Sequence, residues 1–390
     1  MIYLDSNATT QPAPEVVAAL LPFLQEDWQN PSSAYLSARR VRDALAQARH
    51  SLARLLNAQP SEITFTSGGT ESINAVHASV RALRPQLPRL VISGTEHPAV
   101  LESAQRWQQS GGEVTRVRVT RDGRVDLDHL RHCVQPGLTA LVSLMWANNE
   151  TGVIHPLAEI TEIAHAAGAQ VHTDAVQAAG KIPLDVHAVP VDFLSLSGHK
   201  FHAPKGIGAL YISRKTRFSP LILGGGQEGG RRSGTENVPY IVGLGVAAES
   251  MRQSLTDGTA DRVRQMRDHF EESLLSADPS IQRNGDPLHR LPTTSSLTFP
   301  GLEASEMLIL LDKAGLCCSA GSACHSASVH PSHVLEAMGH DARHAASTLR
   351  FSFSRLNTHE ETQTAAGLIT QAAAKLRELA ADSTGPVTHG

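Results

Sequence analysis

Aromatic side chains make up only 4% of this 390-residue chain. Its core must therefore be built mostly from Ala, Val, Leu and Ile. Cysteine is scarcer still: four residues are too few for a disulfide framework at this size. A reducing cytoplasm is the expected compartment. No uncharged apolar run approaches the roughly 20 residues that a bilayer-spanning helix needs. The opening MIYLDSNATT has neither the basic nor the apolar stretch of a secretory signal. Positive charge is not in excess either, with 34 Lys and Arg against 38 Asp and Glu. That balance offers no electrostatic footing for nucleic acid or an anionic membrane. Internal repeats and low-complexity segments are absent.

What is present describes a globular protein. Hydrophobic residues make up 41% of the chain, and its length exceeds what one compact core accommodates, so two domains are expected. Short apolar runs alternate with amphipathic stretches. Strands read at Ile63–Thr66, Leu90–Ile92, Val114–Val119, Leu138–Trp146, Gln170–Thr173, Val191–Leu196 and Gly206–Tyr211. Helices read at Val16–Leu24, Ala34–Leu56, Glu71–Leu83, Leu127–Cys133, Leu157–Ala167 and Val238–Leu255, and Ala175–Ala179 has helical character. Such alternation implies an α/β fold, a mostly parallel sheet with helices on both faces. After a turn at Thr256–Gly258, strands at Ser295–Phe299, Leu316–Ser319 and Leu349–Phe353 mix with helices. The expected division is 15–255 as a large domain, with 256–390 joined by 1–14 as a smaller α+β domain. The end of the chain, from Ala381, is expected to fray.

Polar residues gather just past the C-terminal ends of the strands, the edge where open α/β sheets bind ligands. They include Thr70, His97, Asn149, Asp174, Gln177 and Lys200. Lys200 follows a buried strand and Ser197-Gly198-His199. Burial disfavours an ammonium and turns a lysine into a nucleophile for a carbonyl. Lys205, after Pro204, is a rival. A lysine of this kind can hold pyridoxal phosphate (PLP) as a Schiff base. Asp174 can meet the pyridinium nitrogen, His97 can stack on the ring and relay protons, and Gln177 can bond the ring oxygen. Gly69-Thr70, Ser197 and His199 can cradle the phosphate, with Gly69-Thr70 at a strand–turn–helix junction. The glycine-rich stretch Gly224–Thr235 lacks the strand-to-helix spacing of a nucleotide-binding loop.

Taken together, YLDSNATT, NPSS, ITFTSGGTESIN, EHPAV, WANNETG, HTDAVQAAGK, SLSGHKFHAPKGIGALYI, GGGQEGGRRSGTENV, SAGSACHS, PSHVLEAMG and RFSFSR resemble the NifS/IscS-type cysteine desulfurases. These are PLP enzymes of fold type I, and the likeness runs from Tyr3 to about Arg355. It implies a seven-stranded, mostly parallel sheet in the large domain. It implies Lys200 as the Schiff-base residue and His97 as the acid/base over the ring. Thr70, Ser197 and His199 would hold the phosphate, joined by Thr235 across a homodimer. Asn7, Asn149 and Arg350 would hold the substrate carboxylate, with Asn149 also beside the cofactor. The resemblance further implies that Cys324 takes sulfur from L-cysteine as a persulfide, L-alanine leaving. The sulfur would pass to an acceptor protein for iron–sulfur cluster assembly or for thiolation of tRNA or a cofactor. Its loop, of small residues, predicts an exposed thiol.

The chain departs from the family pattern at Tyr35, where a histidine is usual, at Ser37, and in Asp5-Ser6-Asn7. An aminotransferase of the same fold would have no need of Cys324. Release of alanine from cysteine without a keto-acid acceptor separates the two readings. Cys317-Cys318 with His325, His330 and His333 matches no standard zinc spacing. Cys133 falls in a helix and is expected to be inert.

Overall fold

The computed structural model describes residues 1–320 and 331–383. Strands run in chain order as β1 (Ile2–Tyr3), β2 (Ile63–Thr66), β3 (Arg89–Ser93), β4 (Glu113–Val117), β5 (Thr139–Ser143), β6 (Gln170–Asp174), β7 (Phe193–Ser197), β8 (Gly208–Ile212), β9 (Gln282–Arg283), β10 (Thr294–Thr298), β11 (Leu316–Cys317), β12 (Ser319–Ala320) and β13 (Thr348–Ser352). Seven of them form the central sheet in the order β2-β8-β7-β6-β5-β3-β4. Pairing is parallel from β4 through β7, and β8 runs antiparallel to both of its neighbours.

The apolar runs follow from burial on both faces. Leu90, Ile92, Leu141, Phe193 and Leu210 pack against the helices Gly69–Leu83 and Pro98–Gln109. Val91, Val142, Val171, Leu194 and Ala209 point the other way, into the core shared with Ser37–Leu56, Leu157–Ala166 and Val238–Ser254. The last of these helices crosses Ser37–Leu56 closely. A Cβ on Gly245 would lie 2.5 Å from Ala48 Cα.

A separate core, around Met266, Phe270, Leu297, Phe351 and Ile369, fills the space between the helices Thr259–Ala277 and His359–Ser383 and the antiparallel sheet β12-β13-β10-β9. The N-terminal segment touches both cores. β1 pairs parallel with β11, Leu4 joins the second core and Ala13 the first. No helix among the described residues is long and apolar enough to cross a membrane.

Several elements differ from the sequence reading. The helix expected over Val16–Leu24 is two pieces, Pro14–Leu20 and Pro22–Gln25. Pro22 has no N–H to continue the first and is pre-set to open the second. Ala175–Ala179 is a tight turn, not a helix, followed at once by Gly180 at φ 74°. The run Leu316–Ser319 splits into β11 and β12, because the two pair with different strands, β1 and β13. The final helix continues beyond Ala381 to Ser383. The helix Pro98–Gln109, strand β9 and the short helix Ala342–Ala346 are additions.

Candidate active site

β7 ends at Ser197 and passes into a single 3-10 turn, Gly198–Lys200. This turn carries Lys200 to the edge of the sheet, where its Nζ donates to the carbonyls of Asn7 at 2.7 Å and Ala8 at 2.8 Å. Burial first, and then the nearby Arg350 charge, lower its pKa to about 8, while Asp174 and Asp5 pull the other way. Lys205 is exposed. Of the two lysines, Lys200 has the environment that frees an amine lone pair near neutral pH.

Asp174, the last residue of β6, is buried, and one of its oxygens accepts the Val176 N–H at 2.9 Å. Burial raises its pKa, partly offset by the charges of His97 and Lys200. His97 is the N-cap of Pro98–Gln109, with Nδ1 accepting the Ala99 N–H at 3.1 Å. The neutral ring therefore carries its proton on Nε2. Gln177 lies in the turn after Asp174. Its Nε2 donates to the Asn7 carbonyl at 3.0 Å, and its Oε1 accepts from Lys181 Nζ at 2.6 Å.

The helix Gly69–Leu83 starts against this edge. A Cβ on Gly69 would lie 2.6 Å from Val176 Cγ2 and 3.8 Å from Ser197 Cβ, so only glycine lets the helix end come so near. Thr70 is exposed in its first turn, where backbone N–H groups have no partners within the helix. His199 places Nδ1 3.1 Å from Thr9 Oγ1. Burial, then the charges of Lys200, Lys205 and Lys181, lower its pKa to about 4, so it acts there as a neutral hydrogen-bonding group. Thr235 is exposed on the glycine-rich loop. Arg232 ties that loop to Glu71 at 3.0 Å, and Glu228 ties it to Arg49 at 2.7 Å.

Arg350, Asn149 and Asn7 converge. Arg350, on β13, donates to the Asn149 carbonyl at 3.0 Å and to Asp5 Oδ1 at 2.8 Å. Asn7 Nδ2 donates to the same Asn149 carbonyl at 3.1 Å. The buried Nε of Arg350 has no hydrogen-bond partner. A guanidinium held at two corners with a donor left over suits a further oxygen ligand.

Cys324 lies outside the described residues, as do His325 and His330. The residues on either side of that stretch do reach the site. Ser319 donates to Asp5 Oδ2 at 2.9 Å, Ser332 to Glu150 Oε2 at 2.5 Å, and His333 Nε2 to the Glu96 carbonyl at 2.9 Å. Cys318 is a poor thiolate, since burial and the Asp5 charge push its pKa up to about 12. Cys133 is buried in its helix, and burial raises its pKa also.

Three ionisable side chains at this edge escaped the sequence reading. Asp5 sits inside YLDSNATT, Glu96 precedes His97, and Lys181 stands four residues after Gln177 in a chain where lysine is rare beside arginine. That rarity was the available signal for Lys181. A small cleft lies behind the edge, bordered by Lys181 and Lys200 but not by His97 or Asp174.

The donor set fits PLP. It offers an amine with a depressed pKa, a buried carboxylate beside His97 and Lys200, and a helix end that glycine brings close. The chain matches the class-V aminotransferase family over residues 2–364. It is 47% identical over 382 residues to a cysteine desulfurase of Gluconacetobacter diazotrophicus, spanning 97% of this chain and 94% of that one. With the cysteine desulfurase NifS of Azotobacter vinelandii it shares 43% identity, over 99% and 96% of the two chains. Among solved structures, a NifS-like protein superposes with a TM-score of 0.90 at 36% identity, over 96% of this chain and 99% of that one. SspA in complex with cysteine superposes at 0.81 and 34% identity, over 92% and 100%.

Proposed function

Because the chain belongs to the class-V aminotransferase family, as a cysteine desulfurase, we propose that it holds PLP on Lys200 and draws sulfur from L-cysteine onto Cys324. The observation that carries this reading is the Lys200 amine, its pKa lowered to about 8, at the sheet edge in the field of Asp174 and Arg350. When bound, PLP supplies an electron sink for the bond being broken.

The chain's own residues divide the remaining tasks. Asp174 meets the ring nitrogen and Gln177 the ring oxygen. Gly69, Thr70, Ser197 and His199 receive the phosphate, with Thr235 of the partner subunit completing the cradle in a homodimer. Arg350, Asn149 and Asn7 orient the substrate carboxylate. His97, its Nδ1 fixed by the Ala99 N–H, takes and returns protons at Nε2. The Cys324 thiolate attacks the substrate sulfur. The S–S bond forms as the carbon–sulfur bond breaks, and a proton replaces sulfur on the carbon, so L-alanine leaves and a persulfide stays. A sulfur-acceptor protein in the cytoplasm then receives the sulfur, for iron–sulfur clusters or for thiolation.

Lys200→Ala should abolish both the yellow colour of the PLP-loaded protein and alanine release. Borohydride reduction and peptide mapping should find the pyridoxyl group on Lys200, and a label on Lys205 would refute the assignment. Cys324→Ser should keep the colour and release almost no alanine, whereas Cys317→Ser and Cys318→Ser should stay active. Normal turnover by Cys324→Ser would overturn the sulfur route.

A further inference from the structure

Lys181 is buried beside the site yet has no part in the chemistry above. Its residue is 7% exposed and follows the turn that carries Gln177. Nζ donates to Gln177 Oε1 at 2.6 Å and to Asn7 Oδ1 at 2.9 Å. Burial, then the charges of Lys200 and Arg350, lower its pKa well below the ordinary value. Charged or neutral, its nitrogen still has hydrogens for both oxygens.

A primary amide presents oxygen on one side and NH2 on the other, so a donor on the oxygen settles where the nitrogen points. In Asn7, Nδ2 is thereby turned to the Asn149 carbonyl and Thr294 Oγ1, at 3.1 and 3.0 Å. In Gln177, Nε2 is turned to the Asn7 carbonyl at 3.0 Å, the carbonyl that also accepts from Lys200. That contact uses one N–H of Gln177 and leaves the second for a ligand.

We propose that Lys181 is a positioning residue, locking the Gln177 and Asn7 amides with their oxygens turned toward it, so that Gln177 offers an N–H to the phenolic oxygen of PLP. The proposal rests on the reading that PLP occupies Lys200. With the amide reversed, two oxygens would face each other and a buried acceptor would lose its donor, a costly exchange in a dry site.

The test is spectroscopic. The protein is loaded with PLP, and the pH midpoint of its visible band is measured. A donor on the phenolic oxygen withdraws electron density from the ring and favours the deprotonated Schiff base, so losing the donor should raise the midpoint. Lys181→Met and Lys181→Leu are expected to raise it by about one unit, and Gln177→Ala to do likewise. The double variant Gln177→Ala/Lys181→Met should shift no further than Gln177→Ala alone. Additive shifts would mean that Lys181 acts directly through its charge, which overturns the proposal, as would a folded single Lys181 variant with the wild-type midpoint. If neither Lys181 variant folds, the crystal structure of the PLP-loaded wild type decides. Gln177 Oε1 on Lys181, with Nε2 on the ring oxygen, supports the proposal. Lys181 beyond hydrogen-bond reach of Gln177 overturns it. A wild-type chain that takes up no PLP defeats the underlying reading as well, so the two failures are told apart.

Discussion

Glu96 and Glu150 are carboxyl groups whose ionisation burial disfavours, with pKa values pushed up to about 8 and about 7. Glu96 accepts from Ser93 Oγ at 2.6 Å and from the Met145 N–H, and the Asp174 charge adds to the effect of burial. In an unfolded chain the same group titrates near 4.5. Between those values the folded state keeps a proton that the unfolded state has released. The stability this proton contributes is complete below the lower value and is lost as pH rises through the upper one. The slope is at most about 1.4 kcal/mol per pH unit for one proton. Glu96→Gln cannot ionise and keeps the shape. It should flatten the dependence of stability on pH across that window and gain most, relative to wild type, at the alkaline end. Urea denaturation at both ends of the window, at equal cofactor loading, checks this, and an unchanged slope would count against it.

The helix Gly69–Leu83 acts on the site through its first turn, and that turn is placed by packing against Val176 and Ser197. A methyl on Gly69 overfills the contact, which typically costs about 1–3 kcal/mol and displaces one partner. Gly69→Ala should therefore lose PLP more readily on gel filtration, and Val176→Ala in the same chain should restore most of the retention. Full retention by Gly69→Ala alone would mean that this helix end is no cradle. The placement of elements was legible because local signals set it. Leu127–Cys133 reads as a helix and forms one over the same residues, and Gln170–Thr173 reads as a strand and lies in β6. Strand order was not legible, since it depends on which apolar faces meet. The break of Leu316–Ser319 was hidden for the same reason, its two halves having partners at opposite ends of the chain. At the site, residue types announced Lys200, Asp174 and His97. The bond from Lys181 to Gln177 needed the tight turn, and its second bond needed Asn7 to arrive from far away.

At the scale of the whole molecule, large apolar side chains remain on the surface, with Trp28 73%, Leu36 80% and Leu223 79% exposed. Leu223 adjoins the glycine-rich loop that presents Thr235 to solvent. Apolar surface of this kind next to a loop proposed to reach the cofactor is what a partner covers. The proposed homodimer supplies that partner. Light scattering should give twice the 41.7 kDa chain mass, and Thr235→Ala should weaken PLP retention without dissociating the dimer. A monomer holding its full complement of PLP would contradict the arrangement.

The N-terminal segment that touches both cores also orders events in time. Asn7 and Ala8 receive Lys200, yet the Asn7 N–H is itself held by Ser352 Oγ at 2.8 Å, 345 positions along the chain, and Asp5 is held by Arg350. During translation these early residues emerge first and must wait for nearly the whole polypeptide before they can settle. Contacts so distant in sequence form late. A nascent chain therefore carries Lys200 long before it carries the residues that seat it. Ribosome-bound chains stalled short of Thr348 should take up no cofactor, and uptake by them would refute this order of assembly. Until those contacts form, Lys200 lacks the burial that lowers its pKa, and its amine stays an ordinary protonated lysine.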